Sequence, residues 1–243
     1  MQRRTVLAVG GALALGSRSA RADGAVDLAL VMAVDVSRSV DEDEARLQRE
    51  GYRAALIDPQ VVAAVTGGAL GAIAVAYVEW AGIQYQRLVI PWTRLGSAAD
   101  CAAWSQALAR QPRDSMSWTS ISGALMFSRK TLSDCPFEAT RRVVDVSGDG
   151  PNNSGPPAET IRDAMAADGI TINGLPIVND RLNFGSVPTR DLEPYYRENV
   201  IGGPGAFLIV AEGFEQFGAA IRRKLITEIA GLPRRRRGAR GLG

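Results

Sequence analysis

The chain of 243 residues contains no histidine. That excludes the Ser-His-Asp and Cys-His arrangements of nucleophilic catalysis, and it removes the commonest zinc ligand. Two cysteines, Cys101 and Cys135, make a poor zinc site by themselves. A metal bound by this chain is therefore held by oxygen, which favours Mg²⁺, Ca²⁺ or Mn²⁺. Lysine is scarce as well: Lys130 and Lys224 are the only two. Neither sits in the motifs described below, where a phosphoryl group would need one. Beyond the N-terminus no apolar run approaches the roughly 18 residues of a membrane span, so no transmembrane segment is expected in the processed chain.

The two ends differ from everything between them. Arg3 and Arg4 precede an apolar stretch over 6–15, and a small-residue pattern follows at Ala20-Arg21-Ala22. This reads as a signal peptide over residues 1–22. The arginine pair also permits a twin-arginine signal, so Sec and twin-arginine export both stay open. The expected location is periplasmic or secreted. The first 22 residues hold four Arg and no acid, and the tail at 232–243 holds Arg234, Arg235, Arg236, Arg237 and Arg240. Between these ends 26 acids oppose 19 basic residues, a net charge of −7. The formal charge of +2 thus comes from the ends and indicates no nucleic-acid-binding face. The tail is expected to be solvated and disordered. In an oxidising compartment an even pair of cysteines invites a disulfide between Cys101 and Cys135, each near one end of neighbouring predicted helices. Two free thiols are the alternative.

Hydrophobic residues make up 46% of the chain, enough for the core of one domain over 23–231. The run VDLALVMAV at 26–34 has the composition of a strand buried on both faces of a parallel sheet. Asp41, Glu42, Asp43 and Glu44 open a helix to about residue 57, where acids suit the positive end of the helix dipole. Segments 70–80 and 84–92 form a candidate antiparallel hairpin. Helices are expected over 97–110, 120–132, 157–168 and 214–229, and strands over 141–147, 170–178 and 206–211. A loop spans 111–118. Residues 179–204 read as irregular, with a short helix near 192–199. This alternation means a single doubly wound α/β domain: a mostly parallel sheet with one antiparallel edge strand and helices on both faces. Ligands of such sheets bind beyond the carboxyl ends of the strands, where the strand order reverses.

Three loops carry candidate ligands, the first and third of them after strands and the second before a helix. The first holds Asp35, Ser37 and Ser39, whose alternate spacing lets a carboxylate and two hydroxyls face one way; the plainer reading is that Ser39 or Asp41 caps the next helix. The second holds Thr119, which can offer a hydroxyl to a metal or cap a helix, as can Ser120. The third is Ser147-Gly148-Asp149-Gly150, where two glycines allow close backbone approach; Asp-Gly is also a common turn pair. Asp145 is a rival to Asp149, since Val144-Asp145-Val146-Ser147 echoes Val34-Asp35-Val36-Ser37. It falls inside a predicted strand, where a carboxylate must be paired, so Asp149 is favoured. Trp80, Trp92, Trp104 and Trp118 read as core or loop packing, although Trp118 adjoins Thr119. The loop at Asn152-Asn153 and the segment 179–204 border this end of the sheet.

Together these loops resemble the von Willebrand factor A-type domain with a metal-ion-dependent adhesion site. The likeness covers about residues 26–230: D-x-S-x-S after the first strand, a Thr in a later loop, and Asp-Gly after a further strand. The stretches Tyr195-Tyr196-Arg197-Glu198-Asn199-Val200-Ile201-Gly202-Gly203-Pro204-Gly205-Ala206 and Ser147-Gly148-Asp149-Gly150-Pro151-Asn152-Asn153 resemble an uncharacterised exported bacterial branch of that family. The resemblance implies a divalent ion, Mg²⁺ first and Ca²⁺ or Mn²⁺ otherwise, held by Asp35, Ser37, Ser39, Thr119 and Asp149. The implied function is non-enzymatic: a binding module whose metal takes an exposed Asp or Glu of an unidentified partner protein. The alternatives are a structural module with a vestigial site and a Mg²⁺-dependent aspartate-based phosphohydrolase. The latter lacks the second acid it would want at position 37, where Ser37 stands.

Overall fold

A computed structural model describes residues 24–178 and 191–231. The expected signal peptide, the Arg-rich tail and positions 179–190 of the irregular segment lie outside the described residues. The central strand β2 (Leu28–Asp35) is buried at every position. Leu28, Leu30, Met32 and Val34 face one helix layer, while Ala29, Val31 and Ala33 face the other. That two-sided burial is why the sequence shows an unbroken apolar run there and not an alternation.

A two-residue strand β1 (Ala25–Val26) pairs in parallel with β5 (Glu138–Ala139). The main sheet has six strands in the order β4-β3-β2-β6-β7-β8. Its members besides β2 are β3 (Ile73–Trp80), β4 (Gln86–Leu95), β6 (Arg142–Gly148), β7 (Thr171–Val178) and β8 (Ala211–Glu212). Every pairing is parallel except β3 with β4. β4 is therefore the antiparallel edge, where Pro91 is tolerated. Helices α1 (Glu42–Ile57), α2 (Pro59–Thr66), α3 (Ala98–Ala109) and α7 (Phe217–Ala230) bury residues in one layer. Helices α4 (Ile121–Ser133), α5 (Ala158–Ala167) and the short α6 (Leu192–Tyr195) bury residues in the other. A π-helical turn over Tyr196–Val200 extends α6. Among the described residues no helix is long and apolar enough to cross a membrane.

Local chemistry explains the helix boundaries. Asp41 Oδ1 accepts from the Glu44 amide while the Glu44 carboxylate accepts from the Asp41 amide, a reciprocal cap that starts α1. Helix α2 escaped the sequence reading, although Asp58 caps it and Pro59 opens it. Gly51 is where α1 meets α7: a β-carbon there would lie 2.6 Å from the Phe217 ring.

Two expectations are corrected. Cys101 and Cys135 are free thiols. Cys101 is buried in the layer of α1, α3 and α7, whereas Cys135 packs against the α4 and α5 layer. The sheet stands between them, and a disulfide needs Cα atoms within about 7 Å. The strand expected over 206–211 is a ladder only at Ala211–Glu212. The residues before it lie along β7 through single bonds, Gly174 amide to the Phe207 carbonyl and Ile209 amide to the Gly174 carbonyl.

Under the α7 side of the sheet lies a buried ionic group. Lys224 Nζ is 2.5 Å from Asp145 Oδ1 and 2.5 Å from Glu228 Oε1, and the Lys224 and Asp145 side chains are fully buried. Asn173 Nδ2 donates to Glu228 Oε1 at 3.0 Å. Two carboxylates share one ammonium, so burial and the Glu228 charge push Asp145 up to about 7 despite Lys224. A carboxyl whose folded pKa lies above its unfolded value lends stability below about pH 4 and loses it as pH rises through 7. Asp145→Asn is therefore expected to gain stability relative to the wild type between pH 6 and 8. Lys224→Met, which leaves two unpaired buried carboxylates, should cost about 3–5 kcal/mol. Thermal melts of both variants across that pH range check this; equal pH profiles for wild type and Asp145→Asn would sink it.

Candidate metal centre

The strand order reverses between β2 and β6, because β2 leads towards β3 and β6 leads towards β7 on the other side. The crevice at their carboxyl ends receives Asp35 from β2 and Asp149 just past β6. In register, Val34 is level with Ser147 and Met32 with Asp145. Asp35 thus ends its strand near Gly148, while Asp145 lies three positions lower, committed to Lys224.

From Asp35 a line of hydrogen bonds crosses the crevice. The Ser37 amide donates to Asp35 Oδ1 at 2.7 Å. The Ser37 and Ser39 hydroxyls share a bond of 2.9 Å, and Ser39 Oγ donates to Asp149 Oδ1 at 2.6 Å. Four of the five expected ligands are thereby joined. Thr119 comes from the opposite rim: a β-carbon on Gly150 would lie 3.8 Å from its Oγ1. The loop carrying Thr119 is tied to the first by the Met116 amide, which donates to the Val36 carbonyl at 3.3 Å.

Asp35 is fully buried. Burial, and then the Asp149 charge, raise its carboxyl well above the usual range against the pull of the Ser37 amide. Asp149 is pushed up to about 6, first by burial, with Glu44 adding to the rise and the Ser39 hydroxyl opposing it. Asp35 Oδ2 and the Tyr196 hydroxyl are both buried without a protein partner. Both face Gly148, where a β-carbon would lie 2.9 Å from each. An orphaned carboxylate oxygen among hydroxyls is a poor structural element and a good hard-cation ligand. Among the described residues no three His, Cys, Asp or Glu side chains cluster in ligating reach. Any ion here would need Ser37, Ser39 and Thr119 beside the two aspartates, an all-oxygen set that fits Mg²⁺, Ca²⁺ or Mn²⁺.

The loop after Asp149 does more than border the crevice. Asn153 Oδ1 accepts from the Thr119 amide at 2.8 Å, and the Asn153 amide donates to the Thr119 carbonyl at 2.9 Å. Asn152 Oδ1 accepts from the Ser122 amide and hydroxyl, and the Asn152 amide donates to Tyr195 Oη at 3.1 Å. Ser120 does cap α4, accepting from the Gly123 amide. Two features had no clear signal in the sequence. Tyr196 enters through the π-helical turn, which no periodicity marks. Trp118 has a left-handed backbone with φ 72°, among the described residues the one such non-glycine, and is 67% exposed. Trp80 and Trp104 are buried as expected. A bulky residue at positive φ costs on the order of 1–3 kcal/mol and persists only when its surroundings impose it. Here they do: the Thr119 bonds to Asn153 and the Ser120 amide to the Ala81 carbonyl, 2.7 Å, clamp both following residues. Trp118 rides over Gly82, where a β-carbon would lie 3.2 Å from its own.

Residues 25–233 match the family described as "Protein of unknown function (DUF1194)". No curated protein gives a significant match. Among solved structures, the von Willebrand factor type A protein from Catenulispora acidiphila aligns with a TM-score of 0.58 at 13% identity, over 84% of this chain and 43% of that one. Proximal thread matrix protein 1 from the mussel byssus, in a form with a zinc-occupied MIDAS motif, gives 0.61 at 15%, over 85% and 48%. The pilus adhesin SpaC from Lactobacillus rhamnosus GG gives 0.59 at 13%, over 84% and 30%. The chain spans less than half the length of each. At these identities the likeness establishes the fold, a von Willebrand A-type domain.

Gly148→Ala is expected to push its methyl into Asp35 Oδ2 and the Tyr196 hydroxyl, costing about 1–3 kcal/mol. Denaturant unfolding measures it; an unchanged midpoint would mean that the crevice is looser than these contacts require.

Proposed function

The chain belongs to the DUF1194 family, and from that premise we propose that it is an exported, metal-dependent protein-binding module. The observation that carries this reading is the hydrogen-bonded line from Asp35 through Ser37 and Ser39 to Asp149, with the second oxygen of Asp35 buried and without a protein partner. Asp35, Ser37, Ser39, Thr119 and Asp149 would hold a divalent ion, Mg²⁺ by preference. Bound there, the ion supplies an electrophilic position for a carboxylate of a partner protein. The three hydroxyls are neutral, so two aspartates balance the ion's charge and leave little negative field to repel an acidic partner. Ser37 and Ser39 are held for this by the turn that the Ser37 amide makes with Asp35, and Thr119 by the two bonds with Asn153.

Binding is favoured over phosphoryl transfer by where the lysines stand. Lys224 is buried against Asp145 and Glu228, and Lys130 pairs with Asp134 at the exposed end of α4. Neither is at the crevice to steady a phosphoryl group. The likeness to a pilus adhesin and to a byssus protein with a zinc-occupied MIDAS motif lends support at the level of fold. The signal-like N-terminus supports export.

Melting with and without Mg²⁺ tests the centre. An ion that binds only the native state, at a hundredfold excess over its dissociation constant, adds about 2.7 kcal/mol. For a domain of this size that raises the Tm by roughly 5–10 °C. The shift should vanish with chelator and in the Ser37→Ala, Asp149→Ala double variant, which should still unfold cooperatively. An equal shift in that variant would place the ion elsewhere, and no shift in the wild type would leave the module purely structural.

A further inference from the structure

Beside the crevice lies a cleft of about 730 Å³ that the metal centre does not use, lined by Ile83, Tyr85, Met116, Trp118, Asn153 and Ser154 among others. Its volume is in the range of ligand sites, and its make-up is that of one: apolar walls with a few polar groups. Met116 is 39% exposed and Trp118 67%. These are large apolar side chains that folding has left in water. Trp118 is held there by a backbone conformation that any stability-driven choice would have given to glycine or asparagine. The residue after it is Thr119. The cleft and the crevice therefore share one rim, and Asn153, which fixes Thr119, lines the cleft as well.

We infer that the cleft is the second half of the binding site and takes a large apolar, preferably aromatic, side chain from the same partner segment whose carboxylate addresses the metal centre. The partner is thus an acidic peptide segment with an aromatic residue within a few positions of its Asp or Glu. This rests on the metal-dependent reading above and adds the residue class that gives it specificity. A carboxylate alone is common on protein surfaces and discriminates little. An aromatic anchor in a desolvated pocket beside it supplies the discrimination, as anchors do at interfaces generally. Charge complementarity agrees, since an acidic segment would meet the divalent ion that the crevice is proposed to hold.

The test is selection of displayed random peptides with one fixed Asp or Glu on the full chain in Mg²⁺, eluted with chelator. Enriched peptides should carry Trp, Tyr, Phe, Met or Leu within about three positions of the acid. A synthetic peptide from that pool should lose about tenfold or more in affinity on Trp118→Gly, while Mg²⁺ still raises the variant's Tm. Replacing the peptide's aromatic residue with Ala should cost the wild type as much and the variant little. Because φ 72° suits glycine, Trp118→Gly should melt at or above the wild-type temperature; Trp118→Asn serves as a second variant of the same kind. Chelator-eluted peptides with no apolar bias, or equal affinity for Trp118→Gly, would overturn the cleft's role and leave the metal reading standing. Peptides that bind Ser37→Ala, Asp149→Ala as well as wild type would overturn both.

Discussion

Asp35 sits at the last position of a strand buried along its whole length, with one carboxylate oxygen unpartnered. Burying a carboxylate without partners costs several kcal/mol in protein interiors unless it is protonated, paired or bound to a cation. Much of the crevice reads as a response to that one group. The Ser37 amide takes its first oxygen, Gly148 leaves room for the second, and Asp149 is brought close enough for its charge to raise the Asp35 pKa. A fold selected for stability alone would have placed an asparagine or a lysine partner here. On the reading proposed above, a cation would complete this pair of repelling carboxylates and the hydroxyls around them.

The chain shows the opposite solution three register positions away. Val144-Asp145-Val146-Ser147 has the same four residue types as Val34-Asp35-Val36-Ser37, yet the two aspartates have different fates. Asp145 is mid-strand, level with Met32, and points into the α7 layer, where Lys224 meets it. Asp35 points towards the other layer and ends its strand; among the described residues it has no ion pair, and the cation whose charge reaches it is Arg113, in the loop before Thr119. Three positions of register separate a structural carboxylate from one available to a ligand. The lysine that neutralises Asp145 is one of two in the chain, which also keeps the crevice free of ammonium groups that would compete with a metal.

The sequence made the fold legible where burial alone sets residue choice. The apolar run of β2, the acidic start of α1 and the alternation of strands and helices each have a local cause. It failed where the cause is long-range. Neighbouring helices suggested that Cys101 and Cys135 meet, but α3 and α4 lie on opposite faces of the sheet, a fact that no local pattern carries. Helix α2 was missed although Asp58-Pro59 is a capping signal, because its eight residues are too few for periodicity to register. In the candidate site, the three loops pointed to Asp35, Ser37, Ser39, Thr119 and Asp149 only when taken together with their resemblance to A-type domains; the structure joins Asp35, Ser37, Ser39 and Asp149 by hydrogen bonds, and their role as ligands is the proposal above. Asn153 was seen only as a neighbour, since its bonds to Thr119 bridge thirty-four positions. Tyr196 was hidden in a π-helical turn and Trp118 in a backbone conformation unusual for its residue type.

Those hidden residues share a property that bears on function. Both sit within reach of the crevice, and Trp118 in addition holds a left-handed backbone that the surrounding bonds impose. Tyr196 brings an unpartnered hydroxyl beneath Asp35; Trp118 holds an indole in water beside Thr119. Neither choice is explained by packing, because a phenylalanine and a glycine would serve the fold at lower cost. The strain at Trp118 is of the kind that clusters at functional sites. On the proposed reading the crevice and the cleft next to it belong to one surface, in which a hard cation site would select an acid and an exposed aromatic wall would select what stands beside it.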